Sequence, residues 1–331
     1  MSSEMRRAET SKDLEQESLF EVRVASKRAV ARDTFLFELV ALGDVALPAF
    51  TPGSHLTVVT RKGVRRNSSL CSDAADITRY EIAVKRDGNG RGGSISMADE
   101  VHQGATLTVS APRNNFALSP RAGKSIFIAG GIGITPILSM MRSLKRSESG
   151  HSFQLFYCTR DVECTAFVDV LQTEFSGLTT IHHDNGDVNN AFDFWPVFEK
   201  PSAAHVYCCG PKGLMDSVAD MSGHWPSGSI HFESFGVDAK TFSENTAFDV
   251  TLQRSGKRVS VSAGQTLLEA LRASGCVVRS SCESGTCGSC KTGLVSGEVE
   301  HRDSVLSDEE RASHIMVCVS RAATGELVLD L

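Results

Sequence analysis

Along the first third of the chain, polar and apolar positions alternate as they do in strands with one buried face. Phe20–Ala25, Thr34–Val40, His55–Thr60, Tyr80–Lys85 and Thr106–Ser110 follow this pattern. Turn-forming stretches separate them: Leu47-Pro48, Thr51-Pro52-Gly53 and Asp87-Gly88-Asn89-Gly90. Short strands at this spacing predict an antiparallel β-barrel over residues 19–120.

The period then changes. Ser125–Ala129, Phe153–Cys158, Thr179–His183, His205–Cys208 and Ser229–Glu233 are short buried-type strands. Between them lie helical stretches, Ile137–Lys145, Cys164–Phe175 and Lys212 to about Met221. This alternation predicts an α/β unit with a parallel sheet over residues 121–235. Residues 236–246 read as a polar linker. In the last third, Ala247–Leu252 and Lys257–Val261 suggest a hairpin, Gln265–Ser274 an amphipathic helix and Leu327–Leu331 a closing strand, a third unit over residues 247–331.

Composition narrows the function classes. A net charge of −6 gives no reason to expect nucleic-acid binding. No apolar run approaches the ~20 residues of a membrane helix. Residues 1–18 are charged and lack an apolar h-region, so they read as a flexible tail rather than a signal peptide. Ten cysteines without such a signal suggest a reducing cytoplasm.

The cysteines carry the sharpest chemistry. Cys282, Cys287 and Cys290 stand in a C-x4-C-x2-C run, with Cys318 further on. This spacing suits four thiolates around a [2Fe–2S] cluster. The loop must curl tightly: Gly285 and Gly288 can take positive φ, and Ser281, Ser284, Thr286 and Ser289 keep bulk away. Structural zinc is the competing reading, although it usually shows two C-x2-C pairs. Glu283 adds a negative charge beside the first thiol, which on its own should lower a cluster potential.

Other motifs are weaker alone. Arg66-Asn67-Ser68-Ser69 has an arginine at a strand end, by default a solvated charge. Gly92-Gly93-Ser94 opens a short helix and suits either a phosphate or a capped surface helix. Gly130-Gly131-Ile132-Gly133-Ile134-Thr135-Pro136 is a strand–turn–helix phosphate turn, with Thr135 as a candidate N-cap and Pro136 at N1. Pro136 replaces the last glycine of a full G-x-G-x-x-G. Thr159-Arg160, Asp184 and Cys209-Gly210-Pro211 lie at the carboxyl ends of the expected parallel strands, where such sheets bind ligands. His182 and His183 are adjacent on a strand, face opposite ways and are poor candidates to share a metal. No H-E-x-x-H or G-x-S-x-G is present.

Barrel, α/β unit and cysteine loop, in this order, resemble the phthalate dioxygenase reductase family, over nearly the whole chain after Ser18. The resemblance implies a flavin barrel, an NADH domain and a C-terminal β-grasp ferredoxin of the plant type. It implies FMN held through Arg66, Asn67, Ser68, Ser69, Gly92, Gly93 and Ser94, with Ser69 near the reactive flavin edge. Ser68 stands where the family has tyrosine. It implies NADH on Gly131, Gly133, Thr135, Pro136, Cys209, Gly210 and Pro211, with Cys209 near the nicotinamide and Asp184 on the adenosine ribose. Arg160 could instead take a 2′-phosphate, which leaves NADPH open. Phe232 and Phe235 lie where the family's chain returns towards the flavin. The partner implied is a terminal Rieske-type oxygenase, acting on an aromatic acid as a dioxygenase or O-demethylase. Electron counting agrees: NADH gives two electrons together and a [2Fe–2S] cluster accepts one, so a carrier such as a flavin must stand between. Reductase for a diiron monooxygenase or a separate ferredoxin is the alternative, and a redox sensor a more distant one.

Overall fold

In the barrel, alternation puts Val22, Val24, Phe37, Leu39, Leu56 and Val58 into one buried cluster. The strands are β1 (Leu19–Ala31), β2 (Thr34–Ala41), β3 (Ser54–Val59), β4 (Arg65–Ser69), β5 (Arg79–Lys85), β6 (Thr106–Ser110) and β7 (Arg113–Asn114). They run β4-β3-β6-β1-β2-β5, with β7 on β3, and every pairing is antiparallel. A bridge from Leu70 to Ile82 joins the end of β4 to β5 and closes the sheet on itself. Strand β1 outruns its expected end because bulges near Val24/Ser26 and Ala29/Ala31 break the alternation. Helix α1 (Gly93–Glu100) lies between β5 and β6. Lys27 caps its carboxyl end, Nζ donating to the carbonyls of Ala98 at 2.5 Å and Val101 at 2.8 Å.

The computed structural model describes residues 19–43, 45–60, 63–88, 92–120, 123–147, 150–226, 228–235, 245–280, 283, 285, 288–303 and 305–331. The expected tail 1–18, residues 236–244 of the expected linker, Cys282 and Cys287 lie outside the described residues.

The second unit comprises β8 (Lys124–Gly130), α2 (Ile134–Arg146), β9 (Ser152–Thr159), α3 (Val168–Glu174), β10 (Thr179–His183), α4 (Trp195–Phe198), β11 (His205–Cys209), α5 (Lys212–Ser222) and β12 (Ile230–Glu233). Its sheet is parallel throughout, in the order β10-β9-β8-β11-β12. The chain winds outward from β8 to β10, then returns beside β8 as β11. The resulting switch point puts Ala129 and Cys209 side by side, with Gly130 against Gly210. Two details differ from expectation. Helix α2 begins at Ile134 after a 3-10 turn over Gly131–Gly133, so Gly133 is the N-cap and Thr135 lies inside, its hydroxyl donating to the Ile132 carbonyl at 3.0 Å. The helix expected from Cys164 starts only at Val168, because buried Phe167 takes a left-handed φ of 62°.

The third unit comprises β13 (Phe248–Leu252), β14 (Arg258–Val261), α6 (Leu267–Ala273), β15 (Lys291–Glu300), α7 (Asp308–Arg311), β16 (His314–Met316) and β17 (Arg321–Leu329), in the order β14-β13-β17-β15-β16. β13 and β17 run parallel; the other pairs are antiparallel. Thr266 and Glu269 form a reciprocal capping box that starts α6. Leu267, Leu268 and Leu271 then pack on Val250, Ile315 and Leu327. Between barrel and parallel sheet, Arg142 of α2 donates to the Cys71 carbonyl and pairs with Glu81 at 2.9 Å. No helix among the described residues is long and apolar enough to cross a membrane.

Candidate redox site

Arg66 lies on β4, and its side chain crosses the start of α1. A Cβ at Gly93 would sit 2.5 Å from its Nε and 2.8 Å from its Cγ. Gly92, the N-cap, has a φ of 83°, and Ser94 Oγ accepts from the Asp87 amide at 3.1 Å. An arginine, free helical N–H groups and a surface kept clear of side chain therefore converge, which suits a phosphate group such as that of FMN. Asn67 faces the other way and accepts from Thr57 Oγ1 at 3.0 Å.

Ser69, at the far end of β4, is buried and donates to Glu233 Oε2 at 3.2 Å. Glu233 ends β12 and stands in register with Cys209, the last residue of β11. A barrel hydroxyl, a carboxylate and a thiol thus meet at the switch point. Burial first, then the charge of Glu233, holds the Cys209 thiol well above its ordinary pKa, so it stays protonated. Sequence reasoning missed Glu233. Its signal was an acidic residue closing the last strand at the sheet's carboxyl edge.

The nucleotide motifs interlock. A Cβ on Gly133 would lie 2.1 Å from the Cys209 carbonyl oxygen, and one on Gly130 2.5 Å from Pro211 Cδ. The Gly131–Gly133 turn and Cys209-Gly210-Pro211 therefore form one surface, and Tyr157 fixes it by donating to the Gly131 carbonyl at 3.0 Å. Pro136 is buried in the first turn of α2. Arg160 and Asp184 follow β9 and β10 and are tied by the Asn185 amide donating to the Arg160 carbonyl at 2.8 Å. The Asp184 carboxylate accepts from the Gly186 amide at 2.8 Å. His183 bonds Thr159, and His182 bonds the Asn190 carbonyl. Phe232 is not brought to the site. It packs with Ile128, Phe194 and Val206 on the sheet face opposite Cys209 and Glu233. Phe235 is 42% exposed.

Of the four candidate cluster thiols, Cys290 and Cys318 are described, and both are buried. Lys291 pairs with Met316, which puts the two cysteines at one end of the β15–β16 ladder. Gly285, at φ 79°, has no room for a Cβ: Val319 Cγ2 would be 2.8 Å away and Asp303 Cα 3.2 Å. Two buried thiols beside a turn that admits no side chain fit a thiolate-bound cluster. Asp303 braces the turn, its carboxylate accepting from the Leu306 amide at 2.9 Å and from Ser320 Oγ at 3.4 Å. Glu283, at φ 53°, pairs with Arg272 at 2.8 Å, so its negative charge is offset rather than bare as the sequence suggests. Cys71, Cys158 and Cys208 are core thiols raised by burial, Cys158 to about 12.

Comparison with known proteins agrees with this layout. Residues 127–220 match the oxidoreductase NAD-binding domain, and residues 250–323 match the 2Fe-2S iron-sulfur cluster binding domain. The phthalate 4,5-dioxygenase oxygenase reductase subunit of Pseudomonas putida is 56% identical, over 94% of this chain and 96% of its own. The carnitine monooxygenase reductase subunit of Escherichia coli K12 is 39% identical, over 95% and 98%. Among solved structures, phthalate dioxygenase reductase, described as a modular structure for electron transfer from pyridine nucleotides to [2Fe-2S], superposes with a TM-score of 0.83 at 55% identity, covering 95% of this chain and 98% of that one. Matched almost end to end in both directions and with its units in the same order, this chain belongs to the phthalate dioxygenase reductase family.

Proposed function

We propose that the chain is the reductase component of a two-component Rieske-type oxygenase system. In this reading it takes electrons from NADH through FMN and a [2Fe–2S] cluster to a terminal oxygenase acting on an aromatic acid. The observation that carries it is the meeting of Ser69 from the barrel with Glu233 and Cys209 from the parallel sheet. That contact joins the flavin-side strand β4 to the switch point where a nicotinamide nucleotide binds.

The roles of the residues follow from their chemistry. Arg66 and the amino end of α1 hold the phosphate of FMN, and Ser69 hydrogen-bonds at the flavin's reactive edge. The Gly131–Gly133 turn with Thr135 and Pro136 takes the NADH pyrophosphate, and Cys209, Gly210 and Pro211 border the nicotinamide. Asp184 accepts from the ribose hydroxyls. A protonated Cys209 would border the nicotinamide as an uncharged thiol. FMN supplies the conversion from a two-electron donor to a one-electron acceptor. Cys282, Cys287, Cys290 and Cys318 hold the cluster.

The partner forms a transient complex, and a cytoplasmic location belongs to the same reading. One relative serves a carnitine monooxygenase, which keeps a non-aromatic terminal oxygenase as the second reading. Coupled turnover of candidate oxygenases with this reductase and NADH decides between them. Product from phthalate-type oxygenases alone supports the first. Product only with another oxygenase class supports the second.

A further inference from the structure

One row of the barrel runs from the flavin strand towards the ferredoxin unit. Ser69 on β4 pairs with His55 on β3, and His55 pairs with Arg113 on β7. Arg113 Nη1 then donates to the carbonyl of Ser280, in the ferredoxin unit, at 3.4 Å. Ser280 lies two positions before the first cluster cysteine of the sequence.

The residues around Ser280 form a polar cluster. Its hydroxyl donates to Glu283 Oε1 at 2.8 Å, and Arg272 Nη1 donates to the same oxygen at 2.8 Å. A second Arg272 nitrogen donates to the Ser280 hydroxyl. The Arg272–Glu283 pair is about one-third exposed, with side-chain exposures of 35% and 32%. Arg65, at the start of β4, is also close enough to interact electrostatically with Arg272, Glu283 and Arg113; burial chiefly, then Arg272, lowers its pKa, while Glu283 opposes the change. Arg272 pairs with the Glu283 carboxylate directly and Arg65 lies within its field, while Arg113 binds the nearby Ser280 carbonyl. Glu283 holds a left-handed φ of 53°, a conformation costly for a residue with a side chain, so the contacts of its carboxylate help to hold its own backbone in place.

We propose that Glu283 is a positioning residue, the centre of a clasp in which Arg272 and Arg65 face its carboxylate and Arg113 grips the nearby Ser280 carbonyl, seating the ferredoxin unit against the flavin row of the barrel. The proposal rests on the electron path given above and adds what holds two of its stations together. A clasp made of partly exposed charges can open, which suits a ferredoxin unit that must also present its cluster to an oxygenase. Its strength falls as salt screens it, over a Debye length of about 8 Å at physiological ionic strength. Without the carboxylate, the remaining arginines repel one another across the joint.

The test uses the full-length protein loaded with FMN and cluster, with Glu283→Gln, Arg113→Gln and the double variant. Iron content confirms that the cluster is present. Three quantities are read: the rate of cluster bleaching after mixing with NADH, the cluster potential by EPR titration, and hydrogen exchange in the peptides containing Arg113 and Arg272–Ser280. In each single variant, cluster reduction should slow by about fivefold at low salt, the equilibrium shift one partly exposed ion pair sustains. Exchange in both peptides should rise. The double variant should be no worse than the worse single one, as for residues acting as a unit. Salt should slow wild type but partly restore Glu283→Gln, because it then screens repulsion. The proposal is overturned if Glu283→Gln changes only the cluster potential while Arg113→Gln behaves as wild type, or if exchange is unchanged in both. Failure of wild type itself to reduce its cluster from NADH would instead count against the electron path, and the exchange measurement would still decide the clasp.

Discussion

Replacing Gly93 with alanine separates cofactor binding from folding. Gly93 does not adopt a positive φ, so alanine strains no backbone there. Its Cβ would lie 2.5 Å from Arg66 Nε and 2.8 Å from Cγ, closer than real Cβ contacts allow. The obstructing atoms belong to a long flexible side chain, so the guanidinium swings away and the barrel stays intact. What is lost is a charge-assisted hydrogen bond from Arg66 to the FMN phosphate, worth about 1.5–3 kcal/mol. That corresponds to roughly 10- to 150-fold weaker FMN binding. Helix α1 loses nothing, because alanine is a better helix former than glycine by up to ~1 kcal/mol. Fluorescence titration of FMN into flavin-free protein measures the first effect, and a thermal melt of the same sample the second. The expected result is a raised Kd at unchanged or slightly higher Tm. An unchanged Kd would show that Arg66 does not hold the phosphate. A lowered Tm would show that the contact at Gly93 belongs to folding instead.

Cys318→Ser should abolish the [2Fe–2S] EPR signal, whereas Cys276→Ser should keep two irons per chain, as iron assay and EPR will report. Ser68→Tyr should tighten FMN binding by about two- to tenfold through aromatic contact. Phe116, one ring that could have filled that space, is buried 5.7 Å from Tyr207 in an edge-on pair; unchanged or weaker binding would mean the space is already occupied. NADH should be preferred over NADPH in kcat/KM, and Asp184→Asn should narrow the preference, because the carboxylate repels a 2′-phosphate. A wild-type preference for NADPH would transfer the role to Arg160.

Much of this architecture is written in local pattern. Strands such as Phe248–Leu252 and Arg258–Val261 are legible because their alternation is unbroken. Strand β15 is not, because Gly293 and Gly297 and repeated register shifts interrupt its alternation. The β4 segment was legible as a flavin motif but not as a strand, since Arg65–Ser69 is polar throughout. At the site, glycine turns reveal themselves by spacing, and Gly131–Gly133 and Cys209-Gly210-Pro211 are indeed brought together. Glu233 could not be found that way, because its meaning comes from Ser69, 164 positions away. Phe232 shows the reverse: one strand position separates the site face from the core face, and a local reading does not fix which face it takes. Glu283 was legible as a charge, while its arginine partners come from separate elements.

In the proposed path, electrons from NADH reach the cluster only by way of FMN. Protein stripped of FMN but retaining its cluster, mixed anaerobically with NADH, tests this most directly. The cluster spectrum should stay oxidised until FMN is added back, and then bleach after the flavin does. Bleaching of the cluster by NADH in the flavin-free protein, at the rate of the reconstituted one, would contradict it.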